Sequence, residues 1–212
     1  MRVRYGAIYI LVFLICRLRH QGIKKHILLI VKVYLYKHLI VIKHYLITGG
    51  FMNTRLYDRN SALAYAQKWA LARNPKYYNF DAVGGDCTSF VSQCLFAGSK
   101  KMNFNEWYYN NGYDKSPSWS GVEFLYNFLI KNKGYGPRGL ISDSNNVEIG
   151  DIAQLSFDGN HFGHSLFIVN ITPGGSFNNI AVATHTFDTF GKKISDYNFA
   201  KIRFVHIKDV GY

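Results

Sequence analysis

Acidic residues are scarce in this sequence and are absent from its first 51 residues. Residues 1–51 hold nine of the 25 Lys/Arg and none of the 13 Asp/Glu, so residues 52–212 carry 16 basic and 13 acidic side chains. The formal net charge of +12 therefore belongs mostly to residues 1–51. Because the remainder is close to neutral, it has no basic stripe of the kind that binds nucleic acid. We expect no nucleic-acid partner.

Long apolar runs are also missing. The longest, Ala7–Cys16, has ten residues, whereas a membrane-spanning helix needs about 20. Basic residues before it resemble the start of a signal peptide, but Arg17-Leu18-Arg19 follows where small residues should mark the cleavage site. Three interpretations of residues 1–51 stay open: a membrane-associating basic segment, a signal sequence, and an over-long start with translation beginning at Met52. The chain is cytoplasmic under the third and membrane-associated or exported under the others. Membrane association depends on residues 1–51 alone.

Cysteine is rare as well, with three residues in the chain. Cys87 and Cys94 lie seven positions apart, which on one helix separates them by about 10 Å of rise. A disulfide requires Cα atoms within roughly 7 Å of each other. If this stretch is helical, it contains no bridge between the two cysteines.

The rest of the chain begins with three predicted helices. The first runs through Ala62–Arg73, with Asn60 as its N-cap. The second follows an Asp86 N-cap, has an apolar face at helical spacing and ends at Gly98. The third opens with a capping box at Ser120–Glu123.

Short apolar and β-branched runs follow the helices, separated by Gly, Asn, Asp and Pro clusters, and are predicted to be antiparallel strands. They are Asp151–Phe157, His164–Ile171, Ile180–His185 and Ile202–Ile207. Helices followed by strands are typical of an α+β domain in which the helices pack on one sheet. We therefore predict one α+β domain over residues 52–212, with residues 1–51 outside it.

Cys87 follows a Gly84-Gly85-Asp86 turn as the first residue of the second predicted helix. That end of a helix carries unpaired N–H groups and partial positive charge, which favour a thiolate and can hold an oxyanion. Asp86 opposes thiolate formation electrostatically, so a base is needed. The alternative is that Cys87 is a buried structural thiol, which is our prediction for Cys94 in mid-helix.

Histidines at the ends of two predicted strands could supply the base. His164 opens one strand and His185 closes the next, and in an antiparallel hairpin the start of one strand lies beside the end of the other. Nucleophilic catalysis requires a nucleophile, a base and a group that orients the base. His185 or Asp188 could fill the third role. The alternatives are satisfied structural histidines or, together with His161, metal ligands. The usual zinc motif is absent, and we predict no metal.

Seven segments occur in one order along the chain: YDRNSALAYAQKWALARNP, YYNFDAVGGDCTSFVSQCLFAG, WYY, SPSWSGVEFLYNFL, IGDIAQL, FGHSLFIV and ATHTFD. Together they resemble the bacterial putative amidase domain family, distant kin of the CHAP amidases and NlpC-type cell-wall peptidases in the papain-like cysteine-hydrolase superfamily. The resemblance runs from Tyr57 to Ile207 and leaves out residues 1–51. It implies a papain-like domain of NlpC or CHAP type, with helices packed on an antiparallel sheet.

Carried onto this chain by motif, the resemblance implies that Cys87 is the nucleophile, His164 the base and His185 the orienting residue. Related families use His, Asn or Asp in the third position, so Asp188 stays open. Tyr78 looks like the tyrosine that some NlpC-type enzymes place near the site.

The predicted function is a thiol-dependent amide hydrolase with a thioester intermediate and no cofactor. The resemblance makes peptide or amide bonds of peptidoglycan, or of a related substrate, the expected target. Four aromatic residues could line a substrate groove or belong to the core: Trp107, Tyr108, Tyr109 and Trp119. Three alternatives stay open: a catalytically silent cell-wall or ligand-binding module that retains the fold, a membrane-attached scaffold, and an acyltransferase that passes the thioester to an amine.

Overall fold

A central antiparallel sheet organises the computed structural model, which describes residues 53–212. The strands are β1 (Thr54–Arg55), β2 (Gly136–Ser142), β3 (Ile152–Ser156), β4 (His164–Ile171), β5 (Ile180–Thr184), β6 (Thr189–Lys193) and β7 (Lys201–Gly211). The helices are α1 (Arg59–Trp69), α2 (Cys87–Ser99), α3 (Pro117–Ser120) and α4 (Val122–Lys131). The predicted α+β class is therefore confirmed, while the predictions for residues 1–51 lie outside the described residues.

Strand order in the sheet is β1-β7-β3-β4-β5-β6, and β2 also pairs with β7. Every pairing is antiparallel. β4 and β5 form the predicted hairpin, with Phe167 opposite Ala183. This pairing brings the start of β4 and the end of β5 to the same edge of the sheet.

The two faces of the sheet bury different clusters, because successive residues of a strand point to opposite sides. On β4, Phe167 and Val169 join the cluster formed with the helices, which includes Phe90 of α2. Leu166 and Ile168 join a second cluster on the other face. The helices thus cover one face, as an α+β arrangement requires.

The first two helices begin or end at residues other than those predicted. α1 is capped by Asp58, whose carboxylate accepts the Ser61 N–H at 3.0 Å, so the predicted Asn60 cap is wrong. α2 continues past Gly98 to Ser99, and its C-cap residue Lys100 takes a left-handed conformation with φ 47°. Gly98 serves packing instead, since a Cβ there would clash with the Tyr57 ring.

The predicted capping box is also wrong. Ser120 is the last residue of α3, and Gly121 stands at the N-cap of α4 with no side-chain capping bond. The Glu123 carboxylate pairs with Arg203 at 3.0 Å and does not reach back to the helix start. The Glu123 carboxylate, which the local pattern assigned to the helix cap, therefore forms a long-range ion pair instead.

The four predicted strands are all present, and β4 has the predicted bounds. β7 runs four residues past its predicted end at Ile207, to Gly211. The prediction missed β1, β2 and β6. β2 contains Gly and Pro, and most of β6 is exposed or half-buried, so neither shows the apolar pattern of a buried strand. No helix within residues 53–212 is long and apolar enough to cross a membrane.

Candidate active site

Cys87 is the first residue of α2 and is 6% exposed. Cys87 and Cys94 are both free and both lie on α2, so the prediction that they form no disulfide is confirmed. Cys94 is fully buried, and burial raises its pKa well above the ordinary thiol value. This agrees with the structural role predicted for Cys94.

Asp86 stands at the N-cap position of α2 as predicted, but its side chain does not cap the helix. Its Oδ1 accepts the Phe80 N–H at 3.2 Å, and its Oδ2 lies 2.6 Å from His185 Nδ1. Among residues 53–212, no hydrogen bond uses the backbone N–H of Cys87 or Ser89. The first turn of α2 therefore keeps unpaired donors directly beside the thiol.

Burial dominates the ionisation of Cys87. Desolvation raises its pKa, and the negative charge of Asp86 raises it further. The backbone N–H of Ser165 and the hydroxyl of Thr88, 3.7 Å from the sulfur, lower the pKa by favouring the thiolate but do not offset burial. The sequence indicated that the helix end would favour a thiolate. Burial outweighs that effect, and Cys87 is a thiol at neutral pH.

His164 is the first residue of β4 and is 6% exposed. It pairs with Leu155 across the sheet, and its ring lies beside those of Phe157 and Tyr197, with centroids 6.1 and 6.3 Å away. Burial, together with the positive charge of Lys192, lowers the pKa of His164 to about 4. The imidazole is therefore neutral at neutral pH and can accept a proton.

The ring of His164 and the thiol of Cys87 are not bonded to each other. Ser165, the next residue of β4, faces α2, where its Oγ lies 2.9 Å from Thr88 Oγ1. Because neighbouring strand residues point to opposite faces, the His164 ring leaves the strand on the other side. No hydrogen bond within residues 53–212 joins Cys87 to His164. The backbone of Ser165, next to His164, therefore lies at the Cys87 thiol. The His164 ring lies on the second face of the sheet.

His185 is buried beneath the start of α2. Its Nε2 lies 2.8 Å from the Trp69 carbonyl oxygen, its Nδ1 bonds Asp86, and its ring stacks on Phe90 at 4.2 Å. A carbonyl oxygen only accepts hydrogen bonds, so Nε2 carries a proton. Neither nitrogen bonds His164, and the role of His185 in orienting that ring stays a prediction.

Asp188 belongs to an ion-pair cluster around Arg73. Arg73 donates to both Asp188 oxygens at 2.7 and 2.9 Å and to Asp81 at 2.7 Å, and its Nε lies 3.6 Å from Asp86. These contacts with Arg73 lower the pKa of Asp188. Arg73 could not be predicted from the sequence, because no local motif marks it and Asp188 is 115 residues away in the chain.

Tyr78 adjoins the site through its neighbours. Its backbone N–H donates to Tyr109 Oη at 2.7 Å, and its ring packs edge-on against Phe80, which bonds Asp86. Of the four aromatic residues considered for a groove, Trp107 and Trp119 are fully buried and belong to the core, and Tyr109 packs against it. Tyr108 is half-buried.

His161, which was considered as a metal ligand with His164 and His185, has a different partner. His161 bonds Asp158 at 3.2 Å and is exposed. In the part of the chain that the structure describes, no three His, Cys, Asp or Glu side chains are grouped so that they could hold a metal ion.

Comparison with known proteins assigns the chain to a family. The chain is 32% identical over 118 residues to "Uncharacterized protein YhbB" of Bacillus subtilis (strain 168), over 53% of this chain and 37% of that protein. It is 32% identical over 103 residues to "Uncharacterized protein YjcM" of the same strain, over 48% of this chain and 23% of that protein. The aligned parts thus span well under half of either relative.

No solved structure matches the chain significantly. The family model described as "Putative amidase domain" matches residues 56–207, which include Cys87, His164 and His185, and the chain therefore belongs to the putative amidase domain family.

Proposed function

We propose that this chain is a thiol-dependent amide hydrolase of the papain-like, NlpC or CHAP type, with Cys87 as nucleophile and His164 as base. The observation that carries the proposal is the start of α2. There a free thiol follows an aspartate that does not cap the helix, next to unpaired backbone N–H groups. Membership of an amidase family supplies the reaction class.

The first step is proton transfer from the Cys87 thiol to His164. His164 is neutral at neutral pH because its pKa is about 4. Its ring lies on the second face of the sheet, so the transfer requires the imidazole to come within hydrogen-bond distance of the sulfur in the substrate complex. The thiolate then attacks the amide carbonyl carbon, a C–S bond forms, and the carbonyl electron pair moves to oxygen.

The oxyanion that forms needs donors that are already in place. The Cys87 N–H is unpaired and belongs to the attacking residue, and the Ser89 N–H is a second unpaired donor of the same turn. When the intermediate collapses, the C–N bond breaks and the amine takes a proton from the His164 imidazolium. Water then hydrolyses the thioester, with His164 as base again. No step requires a cofactor.

Peptide or amide bonds of peptidoglycan are the substrate class that we propose. Resemblance to CHAP amidases and NlpC-type cell-wall peptidases supports it, on the motifs around Cys87 and His164. The role of His185 as orienting residue belongs to the same resemblance. Asp188 is the less favoured choice because Arg73 holds both of its oxygens.

Replacement of the nucleophile tests the proposal. Wild type and Cys87→Ala are incubated with purified peptidoglycan and with synthetic stem peptides, and new amino groups are quantified. We expect Cys87→Ala to lose activity by about 10³-fold or more, because removal of the nucleophile leaves only binding and the oxyanion donors. Cys94→Ala is the matched control and should retain activity. Undiminished hydrolysis by Cys87→Ala would exclude thiol catalysis.

A ligand-binding module without turnover is the second candidate function. The observation in its favour is that the Cys87 thiol pKa is raised and the His164 ring lies on the other face of the sheet. The hydrolysis assay, run beside a binding assay, separates the two functions. A module without turnover would retain muropeptides in a binding assay but release no amine, in wild type as in Cys87→Ala.

A further inference from the structure

The turn that joins β5 to β6 is strained and carries an exposed aromatic residue. Thr186 and Phe187 have φ values of 57° and 69°, in the left-handed region that favours glycine and asparagine. A β-branched residue followed by a bulky aromatic is unusual there. The Phe187 side chain is nevertheless 91% exposed, so packing in the core does not explain it.

Polar contacts hold the turn in this conformation and tie it to the nucleophile. The Thr186 Oγ1 accepts the backbone N–H of Asp86 at 3.0 Å, and Asp86 directly precedes Cys87. On one side of the turn His185 bonds Asp86, and on the other Asp188 bonds Arg73 through both oxygens. Backbone strain that the surroundings over-determine is found mainly at functional sites and ligand clamps.

We propose that Phe187 is a specificity-determining residue, which contacts an apolar group of the ligand next to the bond attacked by Cys87. The turn holds Phe187 two residues from His185 and one from Thr186, both of which bond the residue before the nucleophile. Val83, 64% exposed, is a second exposed apolar residue on the loop that leads through Gly84 and Gly85 to Asp86.

The inference rests on the proposed function only in that the ligand is bound at Cys87. Its test therefore uses reagents that react with the thiol and need no hydrolysis. Iodoacetamide and N-benzyliodoacetamide share one reactive group, and only the second carries an apolar ring. Mass spectrometry follows the rate of labelling at Cys87 above pH 9 for both reagents, with buried Cys94 as the internal reference.

The measured quantity is the ratio of the two rates at Cys87. We expect wild type to prefer N-benzyliodoacetamide, and Phe187→Asn to lose about two- to tenfold of that preference, the range for one aromatic pair. Phe187→Tyr should keep the preference because it keeps the ring. Tyr113→Asn is the matched control, since Tyr113 is 97% exposed and should leave the ratio unchanged.

Thermal unfolding gives a second readout of opposite sign. Asparagine tolerates the left-handed region, so Phe187→Asn should raise the unfolding midpoint by about 2 °C while it weakens the preference. A residue needed only for the fold would lower the midpoint. Equal ratios in wild type and Phe187→Asn would overturn the proposal, as would a lack of labelling at Cys87 by either reagent. Loss of hydrolase activity in every assay, with the ratios as expected, would overturn the proposed function alone.

Discussion

Two buried aspartates of this domain, Asp86 and Asp151, have the same kinds of partner and different neighbours. Each is at most 1% exposed. In each, one carboxylate oxygen lies within 3 Å of the Nδ1 of a histidine, and an arginine lies beside the carboxylate. Only Asp86 precedes a cysteine at the start of a helix.

The Asp151 carboxylate is fully used as an acceptor. Its Oδ1 accepts from Arg59 at 2.7 Å and from the Ile207 N–H at 2.9 Å. Its Oδ2 lies 2.9 Å from His206 Nδ1 and accepts the Glu148 N–H at 2.8 Å. This cluster ties α1 to the start of β3 and to β7, and none of its members is a nucleophile.

The Asp86 carboxylate has fewer donors, and none of them is an N–H of the helix that it precedes. It is held by His185 and the Phe80 N–H, while Arg73 is shared with two other aspartates. The two aspartates therefore differ in the backbone groups that they leave free. At Asp86 those groups are the N–H donors beside Cys87.

Replacement of each aspartate by alanine should give the largest difference between the two clusters. We expect Asp151→Ala to lower the free energy of unfolding by about 3–5 kcal/mol, because it leaves Arg59 and His206 without their buried acceptor. Asp86→Ala should destabilise the domain less and should alone change labelling of Cys87. Urea denaturation with iodoacetamide labelling measures both, and a larger loss for Asp86→Ala would contradict this ranking.

His164 differs from His185 and His206 because it is a buried histidine that has no carboxylate partner within residues 53–212. Its folded pKa of about 4 lies below the ordinary value of 6.5. Between these two pH values the unfolded chain binds a proton at this histidine that the folded chain does not bind. The free energy of unfolding is therefore highest above pH 6.5 and falls by about 3 kcal/mol as the pH drops to 4. Urea denaturation of wild type and His164→Gln across this range tests the prediction. The variant should show a flatter pH dependence, and equal slopes would contradict it.

Of the two histidines paired with aspartates, the more buried one, His185, should contribute more to the free energy of unfolding than His206. We expect His185→Gln to destabilise the domain by about 2 kcal/mol, because it removes a partner from a fully buried carboxylate. The side chain of His206 is 24% exposed, and Asp151 retains three other donors, so His206→Gln should have an effect of about 1 kcal/mol or less. Thermal unfolding of both variants is the measurement, and the reverse order would be inconsistent with the contacts described.

The smallest effect concerns the pKa of the Cys87 thiol. Burial raises it above the ordinary value of 9.0, and Asp86 adds to the rise, so iodoacetamide labelling should be slow at pH 7 and increase above pH 9. Asp86→Asn removes a nearby negative charge and should shift this profile to lower pH. Asp151→Asn is the control and should leave the profile in place. Fast labelling of wild type below pH 7 would show that the thiol is not desolvated.

Local patterns predicted a good part of the fold. The apolar spacing behind Cys87 predicted α2 from its first residue, and the run from His164 to Ile171 predicted β4 with its observed bounds. The caps were less predictable, because several polar residues compete near each helix start. Asp58, and not Asn60, lies where its carboxylate meets a free N–H of α1. The strands β2 and β6 were missed because they lack a buried apolar pattern.

Local sequence patterns identify a cysteine first in a helix after a Gly-Gly-Asp turn and a histidine at the start of a strand. The partners and the ionisation of these residues depend on contacts between distant parts of the chain. His185 and Asp86 are 99 residues apart, and no local pattern links them. The raised pKa of Cys87 and the lowered pKa of His164 arise mainly from desolvation, which depends on what the fold packs around each group. Periodicity is a property of neighbouring residues, whereas burial and pairing are properties of the folded chain.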